Sequence, residues 1–560
     1  MEKDMKHYVI GVDYGSDSAR TIVVDARTGD EIAQAVVGYP RWLAGKYQDA
    51  GRRMFRQHPL DYLEALTVGV RNVVEQVGEE VRRNIAAISI DATGSTPCPV
   101  DEEGTPLALL PEFSDNPGAM FHLWKDHTAT READDVTRVF RNNPDGVDYT
   151  VHQGPYASEW FWAKILYTIH SDPDVRAAAY SWVEHSDWLP SLLAGNTKPE
   201  TMYRCACAAG HKAYWHSDWN GLPSEACLAE LDPYLVQVRR TYGAGPLPST
   251  HRVGTLTPEW AQRLGLEEDV IVGGSSFDAH AGAVGAGVNG KTMVVNLGTS
   301  AVDLFAAPGE KFAGKDISWV SNAAESSIIP GLTGLETGQA SFGDVFAWFK
   351  KMVLGPSKQL VKQSAILSGE QKEALIAEMD DKFLIQLQQE AEKLDTDEIP
   401  AALDWFNGRR YPCVNELARS AIADLNMGTT AAQIYYALVA SAAFGQKRIL
   451  DALAAEGIVA ERLVAVGGIA QKSSFLMQML ADVLGKEIHV SRATQACARG
   501  AAIYAAVSAG LYGSIEEAQE VMCEGILCSY VPDAGRAARY GKMYARYLEL
   551  SAFADPKLVR

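Results

Sequence analysis

Residues 271–300 read IVGGSSFDAHAGAVGAGVNGKTMVVNLGTS, and two chemical devices stand in them. The first is Asp278, a carboxylate between a glycine pair (Gly273, Gly274), read as a turn, and a run of small residues that reads as a helix. The second is Asn296–Leu297–Gly298–Thr299–Ser300, where an apolar strand breaks into a small, hydroxyl-rich turn. Such a turn presents backbone N–H groups, which suit phosphate oxygens. A carboxylate near a phosphate cradle points to phosphoryl transfer, with the carboxylate taking the acceptor's proton. An Asp after Ser-Ser-Phe is equally an ordinary helix N-cap, and alone it reads more readily that way. A matching partner near the N-terminus changes the balance.

That partner is GVDYGSDSAR, residues 11–20. It falls on a hairpin turn, so it is neither a Walker loop nor a dinucleotide fingerprint, which need a helix directly after the glycines. Asp13 ends a strand that is otherwise apolar. Gly11 and Gly15 let the backbone approach a ligand, Ser16 and Ser18 offer hydroxyls, and Arg20 a cation. An ordinary hairpin with a turn Asp accounts for the stretch by itself. With Gly298–Thr299–Ser300 in the equivalent place of the second half, two hairpins clamping one polyphosphate is the better reading. Asp13 would then hold magnesium, through water.

Bulk properties narrow the classes. A chain of 560 residues holds two or more domains. It is 47% hydrophobic and 22% charged, as soluble enzymes are. A net charge of −20 repels nucleic acid and anionic membranes. The first residues, MEKDMKHYVIGVDYG, lack the apolar core of a signal peptide, and no apolar run reaches membrane-span length, so a cytoplasmic location is expected. The eight cysteines are scattered without zinc-site spacing and read as reduced, mostly buried thiols.

Residues 8–39 read as three strands, with a helix over 59–77 whose face is Leu63, Leu66, Val70, Val73 and Val74, then a buried strand in IAAISIDATG. The second half repeats the plan. KTMVVNLGTSAVDLFAA is a hairpin, 431–455 a long helix, RLVAVGG a strand, QKSSFLMQMLADVLG a helix, KEIHVS a strand and ARGAAIYAAVSAG a small-residue helix. Residues 355–398 read as a helical insertion with a solvated face. The expected domains are 1–270 and 271–560, meeting near 258–273, with a ligand cleft between them.

A third device is Val464–Ala465–Val466–Gly467–Gly468 before a helix. Two glycines there let a flat ring lie against the backbone, and close helix–strand packing needs the same glycines. Together the three devices resemble the FGGY family of sugar kinases, within the actin and hexokinase superfamily, over nearly the whole chain. The resemblance implies an α/β fold of two actin-like (ribonuclease H-like) domains. It implies Asp278 as catalytic base, Asp13, Gly15 and Ser16 in the first phosphate motif, and Gly298 and Thr299 in the second. Gly467, Gly468 and Gln471 match the adenosine motif, and Gly338 lies near the nucleotide. ATP and Mg2+ are the implied cofactors.

Within that family the matching stretches are DATGSTPCPVDEEG (91–104), MFHLWKDHTA (120–129), RCACAAGHKAYWH (204–216) and GLETGQASFGDVFAWF (334–349). They resemble those of the kinases acting on the 5-hydroxyl of L-ribulose in L-arabinose catabolism, and the resemblance implies that reaction. Related kinases read Trp-x-Asp-x-Arg where this chain has Trp124–Lys125–Asp126–His127–Thr128. The implied sugar-binding residues are Thr93, Trp124, Asp126, Lys212, Asp278 and Glu336. From the residues alone, Trp124 can stack on a sugar face or fill a core, Lys212 can bond a sugar oxygen or stay solvated, and Glu336 can cap a helix. His122 and His127 lack the i, i+4 spacing of a helical metal pair. Expected partners are the sugar and ATP, with no nucleic acid or membrane; a homodimer is compatible with such a chain. Two alternatives stand: a sister kinase for D-ribulose, ribitol or xylulose, and an actin-like nucleotide-dependent binding protein.

Overall fold

The first sheet grows from strands β1 (Tyr8–Tyr14), β2 (Ser18–Asp25) and β3 (Glu31–Gly38). These are the three strands expected over residues 8–39. The computed structural model describes residues 6–558 apart from 244, 412, 413 and 416. Helix α1 (Pro59–Arg83) starts with Pro59, whose missing N–H costs nothing there, and His58 caps the N–H of Leu60. Its predicted face is buried, and at Gly78 (φ 77°) the backbone leaves the helical region. Strand β4 (Ile85–Ala92) is buried at every position, as a strand covered on both faces must be.

Helix α2 (Ala206–Ala213) comes later in the chain, followed by β5 (Arg252–Thr255), β6 (Ile271–Phe277) and α3 (Asp278–Gly285). The sheet order is β5-β6-β4-β1-β2-β3. Strands β4 and β6 run parallel to their neighbours β1 and β4, and β2, β3 and β5 pair antiparallel.

The second sheet uses β7 (Thr292–Leu297), β8 (Ala301–Ala307), β9 (Asn322–Glu325) and β10 (Thr333–Gln339). Helices α4 (Asp344–Gln363), α5 (Gly369–Ala391) and α6 (Ala431–Ala455) follow. The chain then forms β11 (Arg462–Val466), α7 (Ser474–Leu484), β12 (Ile488–Ser491), α8 (Ala496–Ser508) and β13 (Ile526–Tyr530). The order is β9-β10-β8-β7-β11-β12-β13. Read as β10-β8-β7-β11-β12-β13 against β3-β2-β1-β4-β6-β5, the two strand orders correspond, and in both a parallel pair (β11–β12, β4–β6) ends in an antiparallel edge strand (β13, β5). The repeat inferred from sequence is thus a repeat of topology. The expected helical insertion, 355–398, covers the end of α4, a short connection and α5; α5 buries only Leu387 and Ala391.

The compact units interleave along the chain. One comprises 1–292, 304–336 and 493–525, and the other 293–303, 337–492 and 526–560. No single boundary at 258–273 separates them: β6 is an inner strand of the first sheet. The cause lies in small residues. A Cβ on Gly11 of β1 would lie 1.9 Å from the Ala498 carbonyl oxygen, and one on Gly500 1.8 Å from that of Ala281. Helix α8 therefore packs backbone-close on β1 and α3, which draws 493–525 into the first unit. Gly11 serves this packing, not ligand approach. Gly273 and Gly274 form no turn; they lie in β6, where added Cβ atoms would meet Ser89 and the Pro248 and Ser249 carbonyls. No helix among the described residues is long and apolar enough to cross a membrane.

Candidate active site

The parallel register of β1 and β4 sets Asp13 opposite Asp91, and that of β4 and β6 sets Asp91 opposite Ser276. Two residues after Ser276 the chain enters α3 with Asp278. Three carboxyl groups thus gather at the carboxyl ends of three adjacent strands, where α/β sheets place ligands. The N-cap position of α3 belongs to Phe277, not Asp278. Asp278 accepts the N–H of the next residue, Ala279, at 2.7 Å.

Electrostatics divide the three groups. Burial, with the charge of Asp13 and then Glu336, pushes the Asp278 carboxyl up to about 7, against the Ala279 N–H and Arg20. Burial, then the charges of Asp13 and Asp278, push Asp91 well above the carboxylate range. Burial also raises Asp13, opposed by Arg20, whose guanidinium donates to it at 3.1 Å. Among the described residues no donor reaches either buried carboxyl oxygen of Asp91. A proton on Asp91 makes it a donor to Asp13, so the pair shares one proton. Magnesium takes oxygen donors, and the donorless oxygens of Asp91 beside Asp13 fit such an ion. Asp13 and Asp91 would hold it.

The residues expected to hold a sugar lie in the same unit. Lys212, at the end of α2, is buried, with Nζ 3.5 Å from Glu336 Oε2. It lies over the rings of Trp160 and Phe277. Glu336 Oε2 is also 3.7 Å from His280 Nε2, and His280 follows Asp278 on α3. The structure therefore links Lys212, Glu336, His280 and Asp278. Trp124 is partly exposed and donates from Nε1 to the hydroxyl of Ser16 at 2.9 Å, tying it to the first hairpin. Thr93 is buried, with its N–H on the Tyr14 carbonyl and its hydroxyl paired to Thr96.

Asp126 departs from expectation. It is fully buried, ion-paired with Arg56, and accepts from the Phe55 N–H at 2.7 Å and from Thr128 Oγ1 at 2.6 Å and N at 3.2 Å. Burial favours its neutral form, but Arg56, His122 and Lys164 hold it at about 2. Its acceptor sites are filled, so it anchors the Trp124 loop and leaves no lone pair for a sugar.

In the second unit, Gly298 and Thr299 form the turn between β7 and β8. Their carbonyls accept the N–H groups of Gly343, Phe342 and Asp344, which opens α4. Gly467 has φ 98°, and a Cβ there would lie 2.5 Å from the Leu297 carbonyl oxygen; beside Gly468 the space is open. Gly338 has φ 146° and abuts the Ala301 carbonyl. Gln471 donates to the Ser491 carbonyl at 3.3 Å. Four of the predicted nucleotide residues, Gly298, Thr299, Gly338 and Gly467, therefore meet around one hairpin.

Sequence reasoning missed Asp91 and His280. The signal for Asp91 was the one used for Asp13, a carboxylate at the end of an apolar strand.

Residues 293–509 match the model for the FGGY family of carbohydrate kinases, C-terminal domain. The chain is 41% identical to a ribulokinase from Vibrio parahaemolyticus over 97% of its length and 95% of that protein. It is 35% identical to a ribulokinase from Shouchella clausii, covering 98% and 95%. Its fold is that of a xylulose kinase from Rhodospirillum rubrum (TM-score 0.78, 18% identity, 99% and 100% covered). It is also that of a glycerol kinase from Plasmodium falciparum solved with ADP (TM-score 0.72, 15% identity, 97% and 98% covered). Full-length identity of this order to ribulokinases, with the family model matched, establishes that the chain belongs to the FGGY family of carbohydrate kinases.

Proposed function

We propose that the protein transfers the γ-phosphoryl group of ATP to the 5-hydroxyl of L-ribulose, giving L-ribulose 5-phosphate for L-arabinose catabolism. The observation that carries this reading is Asp278: a carboxyl pushed up to about 7 in the same unit as the buried Lys212 and its partner Glu336, in a chain whose full-length relatives are ribulokinases. A base of that pKa is poised to take a proton near neutral pH.

Lys212 and Glu336 present a cation and a carboxylate to the sugar's carbonyl and hydroxyl oxygens. Asp278 orients the 5-hydroxyl and receives its proton late, as the phosphoryl group arrives. Trp124 offers a flat apolar face held by Ser16. Gly298 and Thr299 serve the phosphates, and Gly467, Gly468 and Gln471 the adenosine. Asp13 and Asp91 would hold magnesium, which would supply charge neutralisation for the transferred group.

The test is a coupled ADP-release assay across pentuloses and pentitols. L-ribulose is expected to be the best, or among the best, of the pentuloses. A clear preference for xylulose or glycerol overturns the substrate, and ADP release unmoved by any sugar overturns the reaction.

A further inference from the structure

Helix α2 carries Cys207 and His211 one turn apart, so both side chains fall on one face. His280 of α3 meets them there: donor atoms of the three lie within 4.8 Å of one another. All three residues are almost wholly buried. The His211 and His280 ring centroids are 5.0 Å apart. We propose that Cys207, His211 and His280, with Glu336 as a fourth donor, form a zinc site.

The hydrogen bonds prepare His211 for this. Ser327 Oγ donates to the Ala324 carbonyl at 3.0 Å, which uses its proton. Toward His211 Nε2, 3.0 Å away, it can therefore only accept. His211 thus carries its proton on Nε2 and leaves Nδ1 as a bare lone pair, buried with no donor. A neighbour that fixes the far nitrogen of a ligating imidazole is the usual second layer of a metal site. His280 has neither ring nitrogen hydrogen-bonded. Unpaired buried imidazole nitrogens are costly, and a metal satisfies them.

Charge and geometry select the ion. Burial favours neutral imidazoles and a protonated thiol at this site. A thiolate and the Glu336 carboxylate bring two negative charges to one divalent cation, the carboxylate being shared with Lys212. Thiolate and imidazole donors favour zinc over magnesium. Tetrahedral zinc holds its donors about 3.3–3.6 Å apart, so roughly an ångström of side-chain rotation brings Cys207, His211 and His280 to that spacing. Glu336 Oε2 already lies 3.7 Å from His280 Nε2, and its partly exposed side chain gives an entry path. On binding, the Cys207 S–H bond breaks, the sulfur pair bonds zinc, and one proton leaves to solvent. Affinity should rise with pH accordingly.

The test titrates metal-stripped full-length protein with Zn2+ alone, without sugar or nucleotide, against a chromogenic chelator. One zinc per chain is expected. Cys207→Ala and His211→Gln should each weaken it roughly 10-fold or more, and Cys98→Ala, a buried thiol elsewhere, should leave it unchanged. Co2+ in the wild-type protein should give the intense visible bands of a tetrahedral site and a thiolate charge-transfer band, which decides the matter even where a variant misfolds. Absence of tight zinc, zinc indifferent to Cys207→Ala, or a cobalt spectrum without the thiolate band overturns the site. Zinc should also raise the sugar KM by occupying Glu336. That consequence rests on the function proposed above; the binding measurements do not.

Discussion

Asp91 stands opposite Asp13 in the parallel register of β1 and β4, with no donor on its buried carboxyl oxygens. Two carboxyls so placed, with Arg20 already paired to Asp13, share a proton until a metal cation takes its place. Asp13→Ala and Asp91→Ala should each raise the magnesium concentration needed for half-maximal turnover roughly 10–100-fold. The sugar KM should hold. The double variant should lose less than the product of the two, since the groups act as one. A magnesium titration at saturating sugar reads all three; two independent, fully multiplicative losses would contradict a shared site.

Lys212 Nζ and Glu336 Oε2 are 3.5 Å apart in a mostly buried setting. Lys212→Met and Glu336→Gln should raise the sugar KM more than 10-fold, a loss of about 1.4 kcal/mol or more, while the KM for ATP barely moves. Steady-state kinetics varying one substrate at a time separates the two. A rise confined to ATP would reassign the pair.

Asp126 tests an anchoring role against a sugar-binding one. Its carboxyl is held at about 2, so its contribution to stability is present above about pH 4 and is lost as pH falls through 2. Asp126→Ala leaves Arg56 buried without its partner, and should cost about 3–5 kcal/mol of stability at pH 7. Denaturant melts of variant and wild type measure this. A fully stable variant with a raised sugar KM would restore the sugar role.

Asp278 carries the opposite sign. Its folded pKa, about 7, lies above the ordinary carboxylate value. The stability linked to its protonated form is complete below about pH 4 and is lost as pH rises through 7. Asp278→Asn removes that loss. The variant should melt higher than wild type at pH 8 and equal it near pH 4. Thermal melts across this range check the sign, and a variant less stable at pH 8 would contradict it.

Much of this was legible in sequence for a plain physical reason. A carboxylate at the end of an apolar strand is expensive, so Asp13 stood out, and the 3.6-residue period of Leu63, Leu66, Val70, Val73 and Val74 marked α1. The glycines misled, because close helix packing and ligand approach both require a missing Cβ. Gly11, Gly273 and Gly274 pack against other elements, and only neighbours in space reveal it. The ion pair of Asp126 was not legible because Arg56 lies far away along the chain. Cys207 and His211 have the helical i, i+4 spacing that His122 and His127 lack. Their significance depends on His280, brought in from another helix. The interleaved units were hidden because small-residue contacts of α8 leave no mark on local periodicity.

Whether Asp278 is the base is read from the turnover of Asp278→Asn. The variant keeps the side chain's size and its acceptor for the Ala279 N–H but cannot take a proton. ADP release with L-ribulose and ATP should fall on the order of 10²–10⁴-fold, with sugar affinity changed much less. Wild-type turnover in a folded Asp278→Asn protein would exclude Asp278 as the base.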